Sequence, residues 1–139
     1  MPTVSAAIII SKGKILCMQN GVKKYDYLTG RFEFPGGKIE EGESPRDTIV
    51  REISEELHAD ISCARIEAYD VVTYSYPDFT VTLNNFLVYC DGFDFELTEH
   101  RSFKWCSPSE LDTLEWAAAD KVIMDSLLED LKTGRIKSA

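Results

Sequence analysis

Hydrophobic and polar residues follow two different periods along this chain, and segments with each period alternate. Residues 3–10 are apolar and rich in β-branched side chains, which is typical of a buried strand. Lys12 and Gly13 then mark a turn before a partner strand over residues 14–18. The pattern predicts further strands over residues 31–34, where Pro35 and two glycines should end the strand, and over 61–76, 79–89 and 103–106.

A helical period appears in three places, once between the strands and twice after the last one. Ser44 is a suitable N-cap residue and Pro45 suits the first helical position, and apolar side chains then recur every three or four residues. Further along, Gly134 is a suitable stop for the last helix. Helices are predicted over residues 44–57, 107–114 and 120–132.

Length and composition indicate one folded domain. Of the 139 residues, 44% are hydrophobic and 28% are charged, so the chain can bury a core without cross-links. Strands and helices in this order predict an α+β fold, a mixed β-sheet sandwiched between helices (an α/β/α sandwich), over residues 1–139. The uncharged run at 1–11 is too short to cross a bilayer, so we expect a soluble, cytoplasmic protein without a membrane partner.

The chain has a formal net charge of −9. An acidic surface opposes binding of a nucleic-acid polymer through its phosphates. A single nucleotide remains compatible with this charge if a cation lies between its phosphates and the acidic groups.

Three glutamates concentrate on one side of the predicted helix 44–57. At about 100° per residue, Glu52, Glu55 and Glu56 share a stripe about 100° wide, and the apolar face lies beside it. Like charges at this spacing repel by about 0.2–0.5 kcal/mol per pair, and acids are disfavoured near a helix C-terminus. Bound Mg²⁺ or Mn²⁺ would remove both conflicts. The alternative is a solvated acidic face with Arg51 as its counter-charge.

The spacing of the residues around these acids forms a longer pattern. It reads G-x5-E-x7-R-E-I-x-E-E, and it consists of Gly37, Glu43, Arg51, Glu52, Ile53, Glu55 and Glu56. This pattern resembles the Nudix box, a phosphohydrolase signature. One position departs from it, because His58 stands where the box ordinarily has glycine. Histidine tolerates the left-handed conformation that glycine usually adopts there better than most residues do. We therefore expect a slightly strained or altered turn at the helix exit, with the acids unaffected and the enzyme active.

The resemblance implies a metal-dependent hydrolase. Nudix enzymes cleave a nucleoside diphosphate linked to a further group, with Mg²⁺ or Mn²⁺ and water. The metal ligands implied are the carboxylates of Glu52, Glu56 and Glu55 and the backbone carbonyl of Gly36. Glu43 would pair with Arg51 to orient the helix, and Gly37 would be a structural residue of the motif.

A MutT-type branch of the family matches further along the chain. Its members carry an acid that serves the metal or the water at a place that Glu99 matches loosely, just before residues 101–105. Alternatively, Glu99 is loop surface. The catalytic set implied is Arg51, Glu52, Glu55, Glu56 and Glu99.

MutT-type members hydrolyse nucleoside triphosphates to a monophosphate and pyrophosphate. Asp120 lies where they carry a residue that reads the base, and an ionised carboxylate could accept from an exocyclic amine. Alternatively, Asp120 only caps the last helix. Glu33 and Phe34 would contact sugar and base, and Lys38 the phosphates, although a strand phenylalanine is more often a core residue.

The resemblance leaves the substrate open between two classes. A CTP or dCTP type is slightly favoured, since Asp120 and residues 105–108 resemble CTP-preferring members, and an oxidised purine such as 8-oxo-dGTP is the close rival. The alternatives are a diphosphatase for a dinucleoside polyphosphate or a nucleotide sugar, and a non-catalytic nucleotide-binding domain. Many relatives are dimers, so a homodimer is a further expectation.

Two features bear on the substrate. MutT-type members commonly have a phosphate-binding arginine where this chain has Gln19 and Asn20, and one of Lys23, Lys24 or Arg31 would have to replace it. Tyr74 and Tyr76 fit ordinary strand patterning, although a tyrosine in this region also resembles dinucleoside-polyphosphate hydrolases.

Overall fold

The computed structural model describes residues 2–137, and within them a seven-stranded mixed sheet lies between two helices. The strands are β1 (Thr3–Ser11), β2 (Lys14–Gln19), β3 (Phe32–Glu33), β4 (Gly36–Lys38), β5 (Arg65–Ser75), β6 (Thr80–Cys90) and β7 (Ser102–Cys106). The helices are α1 (Pro45–Leu57) and α2 (Ala118–Thr133), with a short 3-10 helix at Pro108–Thr113. β1 pairs in parallel with β6 and antiparallel with β2 and β4, while β5 pairs with β6, and β3 and β7 pair with β2.

The central strand β1 contributes to a hydrophobic core on each face of the sheet. Ile8 and Ile10 belong to the core that includes the apolar side chains of α2, whereas Ile9 belongs to the core formed with α1. Each fully buried isoleucine or leucine contributes about 1.5–3 kcal/mol relative to an exposed one. Burial on both faces confirms the predicted α/β/α sandwich. The helix residues in these cores are Ile49, Ile53 and Leu57 of α1 and Ile123, Met124 and Leu127 of α2.

Helix α1 has the termini that the sequence predicts. The Ser44 hydroxyl accepts a hydrogen bond from the Asp47 N–H at 3.1 Å, and Pro45 is the first helical residue. At the other end, His58 adopts the left-handed conformation with φ 53° and ψ 39°. The helix exit at His58 therefore keeps the left-handed turn that glycine would adopt, and the three glutamates before it remain helical.

Three predicted boundaries need correction. β3 ends before Pro35, as predicted, but the glycines after Pro35 begin a separate strand, β4, that is missing from the prediction. A Cβ at Gly36 would lie 2.0 Å from the Ser5 carbonyl oxygen. The close approach to β1 explains why glycine is needed there. β5 begins at Arg65 instead of residue 61, because a turn at residues 62–64 follows the buried Ile61.

The third wrong boundary is the start of α2, which begins two residues before Asp120. Ala117 is the N-cap residue, and Asp120 lies in the first turn. The Tyr76 hydroxyl accepts a hydrogen bond from the Ala119 N–H at 2.9 Å, so a side chain of the neighbouring hairpin satisfies this helix end. Asp120 is therefore not the cap of the last helix.

No helix within residues 2–137 is both long enough and apolar enough to cross a membrane.

Candidate active site

The acidic edge of α1, meaning Glu52, Glu55 and Glu56, faces strand β4 at Gly37. A Cβ at Gly37 would lie 2.3 Å from the Glu52 carboxyl carbon and 2.5 Å from its Oε1. Any side chain at this position would therefore displace the carboxylate. The missing side chain of Gly37 allows the Glu52 carboxylate to lie against the strand.

Arg51 connects the acidic edge to the loop before the helix. Its Nε donates to Glu43 Oε2 at 2.6 Å and its Nη2 donates to Glu43 Oε1 at 3.0 Å, which is a bidentate pair. The Thr48 hydroxyl also donates to Glu43 Oε1, at 2.8 Å. The hydrogen bond from Arg51 is the main cause that lowers the pKa of Glu43 to about 2. Glu43 thus stays charged and the pair stays intact over the whole neutral range.

The same guanidinium also contacts the strand and two of the acids. Nη2 donates to the Lys38 carbonyl at 3.0 Å, and Nη1 donates to Glu52 Oε1 at 2.8 Å and to Glu55 Oε1 at 3.3 Å. Arg51 therefore positions Glu52 between α1 and β4. The Lys38 side chain, expected at the phosphates, is exposed, and its backbone carbonyl is the group that the contacts involve.

Glu56 is the electrostatically unfavourable member of the acidic edge. Its Oε2 is buried without a hydrogen-bond partner. Burial, the adjoining Glu52 carboxyl and the charges of Glu99 and Glu33 raise the pKa of Glu56 to about 9. Glu99 lies in the β6–β7 connection and is exposed, so the structure places it within electrostatic reach of Glu56.

These observations fit a divalent cation. Hard oxygen ligands are available from the unpartnered carboxylate oxygen of Glu56 and from the Glu52 carboxylate beside Gly37. With the charge of Glu99 nearby, these acids would be stabilised by a positive charge. Within residues 2–137, the side chains as they lie form no group of three that could hold a metal, and Glu52 and Glu55 contact Arg51 instead. A bound cation would polarise a phosphoryl oxygen and lower the pKa of a bound water. Glu52 and Glu56 would hold it, and a neighbouring carboxylate could take the proton from the water.

Glu33 lies between the acidic edge and the start of α2. Its charge raises the pKa of Glu56 on one side and of Asp120 on the other. Glu33 Oε2 is 2.9 Å from Nε2 of His100, whose side chain is only 6% exposed. His100 therefore fixes the Glu33 carboxylate, while its own Nδ1 is buried without a partner.

Asp120 is buried in the first turn of α2. Its Oδ1 accepts from the Phe34 N–H at 3.1 Å. Burial, and then the charge of Glu33, raise the pKa of Asp120 well above its ordinary value. A raised pKa favours the protonated carboxyl, which can donate as well as accept. The Phe34 side chain is 3% exposed and its ring lies 4.8 Å from that of Trp116, so it is a core residue at the edge of this region.

An aromatic cavity of about 310 Å³ opens beside Trp116. The rings and the guanidinium at its walls come from three separate parts of the chain: a loop, a hairpin and the segment before α2. We call this the aromatic cavity; it is lined by Tyr27, Arg31, Tyr74, Tyr76, Pro77, Trp116 and Ala118.

Gln19 and Asn20, where MutT-type members commonly have a phosphate-binding arginine, lie at the end of β2 and the start of the loop between β2 and β3. Gln19 Nε2 donates to the Gly30 carbonyl at 3.1 Å, and Asn20 Nδ2 donates to the Leu28 carbonyl at 3.3 Å, so both residues hold the loop closed. Of the three proposed replacements, Arg31 lines the aromatic cavity. Lys24 lies over the Tyr25 ring at 5.4 Å, and Lys23 is exposed.

Sequence reasoning missed several residues of this region. His100 follows the predicted Glu99, but no local pattern indicates that it is buried against Glu33. Tyr27 lies in a polar loop, and Tyr76 was read as ordinary strand patterning, although its hydroxyl contacts the start of α2. The sequence did contain one signal for them, the aromatic residues in the loop before Gly30 and in the segment before α2.

Comparison with known proteins agrees with this geometry. Residues 1–131 match the model of the NUDIX domain. The chain belongs to the Nudix family. The CTP pyrophosphohydrolase of Escherichia coli is 31% identical to it in an alignment 138 residues long, and the match covers 92% of this chain and 92% of that protein. The 8-oxo-dGTP diphosphatase of Proteus vulgaris is 33% identical over 99 residues, which is 70% of this chain and 83% of that protein.

The Nudix fold is also seen in solved structures. The solution structure of the E. coli ORF135 protein has a TM-score of 0.78 and 33% identity, and the match covers 97% of this chain and 93% of that one. The alignment to a Mycobacterium tuberculosis relative, 33% identical over 97 residues, spans 66% of that relative's length. The resemblance drawn from the box residues is thus confirmed at the level of the family and the fold.

Proposed function

We propose that this Nudix domain hydrolyses a nucleoside triphosphate to a nucleoside monophosphate and pyrophosphate, with Mg²⁺ or Mn²⁺. The observation that carries the proposal is the continuity of one site. Glu33 is hydrogen-bonded to His100, the residue after Glu99, and it is followed by Phe34, whose N–H donates to Asp120. Its charge also raises the pKa of both Glu56 at the acidic edge and Asp120 at the other end. A cation with phosphates at the first end and a base at the second end would occupy this one site.

Each residue of the site has a proposed role. Glu52 and Glu56 hold the cation, with Glu55 as a third carboxylate and the Gly36 carbonyl as a further ligand. Arg51 and Glu43 position the helix, and Glu99 serves the metal or the attacking water. Asp120 and Glu33 contact the base or sugar, and Lys38 contacts the phosphates.

For the substrate we propose a CTP or dCTP type first. The E. coli CTP pyrophosphohydrolase combines 31% identity with a match over 92% of both sequences, whereas an 8-oxo-dGTP diphosphatase that matches over 91% of both sequences is 27% identical. The second candidate is an oxidised purine nucleotide, since a relative named 8-oxo-dGTP diphosphatase reaches 39% identity over 62 residues.

A substrate panel with Mg²⁺ tests this proposal. It contains CTP, dCTP, 5-methyl-dCTP, 8-oxo-dGTP, the other common triphosphates, a dinucleoside tetraphosphate and a nucleotide sugar, with pyrophosphate and phosphate measured separately. Pyrophosphate from one triphosphate, abolished by EDTA, supports the proposal and identifies the base. Cleavage of only the dinucleoside or the sugar nucleotide would replace the substrate class. Binding without any turnover would favour a non-catalytic domain.

A further inference from the structure

The loop between β2 and β3 is fixed to the tip of the β5–β6 hairpin by one polar contact. The Tyr27 hydroxyl donates to Asp78 Oδ2 at 2.9 Å, between residues 51 positions apart in the chain. The contact lies at the surface, where a hydrogen bond between two mobile segments is usually weak. The importance of this hydrogen bond depends on which side chains it positions.

A closed group of four aromatic rings supports this contact. Tyr25 stacks on Tyr27 at 5.3 Å, Tyr27 on Tyr76 at 5.2 Å, Tyr76 packs on Phe79 at 5.1 Å, and Phe79 stacks on Tyr25 at 5.4 Å. Aromatic pairs at these distances attract each other beyond the effect of their buried area. The four rings therefore join the loop and the hairpin as one unit.

Two of these four rings also line the aromatic cavity. Tyr27 and Tyr76 belong to both the ring cluster and the cavity lining, whereas Tyr25 and Phe79 belong only to the cluster. Tyr76 in addition holds the start of α2 through the Ala119 N–H. The position of the Tyr27 ring thus sets the distance between the loop wall and the wall formed by Trp116.

We propose that Tyr27 is a specificity-determining residue for the nucleobase, and that its hydrogen bond to Asp78 sets the width of the aromatic cavity. The inference rests on the proposed function, in which the base binds at the Asp120 end of the site. Trp116 connects the two places, since it lines the cavity and packs on Phe34, whose backbone donates to Asp120. Aromatic walls bind any base by stacking, so the spacing between walls decides how large a base fits.

Partial burial and the hydrogen bond to Asp78 raise the pKa of Tyr27 to about 12. The hydroxyl accordingly keeps its proton, and the contact persists, at every pH at which the enzyme would be assayed. A pH change is therefore not a way to open this contact, and substitution is needed.

Two variants remove the hydrogen bond from opposite sides. Tyr27→Phe keeps the ring in the cavity wall, and Asp78→Ala changes an exposed residue that is not part of the lining. The quantity to compare is the kcat/KM of the preferred nucleotide divided by that of a nucleotide whose base has the other size. We expect each variant to lower this ratio roughly 10-fold. The change should lie in KM, with kcat within about twofold, and the double variant should behave like either single variant.

The matched control is Tyr25→Phe, which removes a hydroxyl from the same ring cluster but outside the cavity lining. It should leave the KM ratio unchanged. If the ring cluster only stabilises the loop, Tyr27→Phe and Asp78→Ala will lower Tm without moving the KM ratio, and that result overturns the proposal. A shift of equal size in Tyr25→Phe would overturn it too.

A binding measurement separates this inference from the proposed activity. The chain has two tryptophans, so Trp105→Phe leaves Trp116 as the single indole reporter in the cavity wall. Quenching of Trp116 by CMP, GMP and 8-oxo-dGMP then gives Kd values without turnover. If no triphosphate is hydrolysed but Tyr27→Phe and Asp78→Ala change the ratio of these Kd values, the activity is refuted and the inference is retained. Turnover with unchanged KM and Kd ratios refutes the inference alone.

Discussion

The acidic edge of α1 and the aromatic cavity are built in opposite ways. The acidic edge comes from one helix, and its supporting residues, Gly37 and Glu43, lie within 15 positions of Glu52. The aromatic cavity takes its walls from the β2–β3 loop, the β5–β6 hairpin and the segment before α2. Local spacing thus determines the first region, and the packing of distant segments determines the second.

The two regions also differ in their electrostatics. The acidic edge holds a buried carboxylate oxygen without a partner and a glutamate whose pKa is raised to about 9, a conflict that a cation would relieve. The aromatic cavity has walls of aromatic rings with one guanidinium, that of Arg31, and the hydroxyls of Tyr27 and Tyr76 already have partners in Asp78 and Ala119. Strain in the first region and satisfied contacts in the second indicate chemistry at one end and recognition at the other.

The largest effect is expected from Glu56→Gln. We predict a loss of kcat of about 10²–10⁴-fold for the preferred triphosphate, because the cation loses a carboxylate. The metal-free protein should at the same time become more stable, since the amide removes the repulsion from Glu52 and Glu99. Steady-state kinetics and thermal unfolding in EDTA measure the two effects. Glu129→Gln, at an exposed glutamate of α2, is the control and should change neither. Full activity in Glu56→Gln would remove the acidic edge from the mechanism.

The next effect should come from Gly37→Ala. The added Cβ would lie 2.3 Å from the Glu52 carboxyl carbon, and the carboxylate is the flexible end of its side chain, so it will move while the fold survives. We predict a loss of kcat/KM of about 10–100-fold together with weaker activation in a Mg²⁺ titration. Gly21→Ala is the matched control, because a Cβ there meets nothing within 4 Å. An unchanged Mg²⁺ titration in Gly37→Ala would mean that Glu52 need not lie against β4.

A smaller effect is expected at the recognition end from Asp120→Asn. The amide oxygen can still accept from the Phe34 N–H, but the group can no longer ionise. We predict a change in base selectivity of about 10-fold, which the ratio of kcat/KM values for two nucleotides measures. kcat for the preferred nucleotide should change less than in Gly37→Ala, and an equal loss for all nucleotides would contradict a role in reading the base.

The same variant has a pH-dependent stability of predictable sign. Burial and the charge of Glu33 raise the folded-state pKa of Asp120, and Tyr76 is the other titratable group close to it. The contribution of Asp120 to stability is therefore present below its unfolded-state pKa and is lost as the pH rises through its folded-state pKa. As the pH rises above 3.8, the ordinary pKa of this carboxyl, the wild type should lose stability relative to Asp120→Asn in EDTA. Asp125→Asn, at an exposed acid of the same helix, should show no such trend.

The contrast between the two regions explains what the sequence could predict. The period of residues 44–57, the cap at Ser44 and the spacing of the glutamates are local properties, so α1 and its acids were predicted to within a residue. The burial of His100 against Glu33 depends on a contact across 67 positions, and the Tyr27–Asp78 contact spans 51. No single-sequence pattern contains such pairs. The start of α2 was misplaced for the same reason, because the Tyr76 hydroxyl, and not a local side chain, satisfies its first turn.

The smallest effect should come from His58→Gly, which restores the glycine that the Nudix box ordinarily has. His58 has φ 53°, a conformation that costs an ordinary residue about 1–2 kcal/mol, while glycine loses about 0.5–1 kcal/mol in chain entropy on folding. The ion pair with Glu96, at 3.7 Å and exposed, contributes little. We predict a gain of about 0.5–1 kcal/mol in the free energy of unfolding, measured in urea. Ala59→Gly, at a position without positive φ, should be less stable than the wild type. Both variants should keep the wild-type kcat, since the acidic edge lies before the turn; a loss of activity in His58→Gly would show that the histidine takes part in the site.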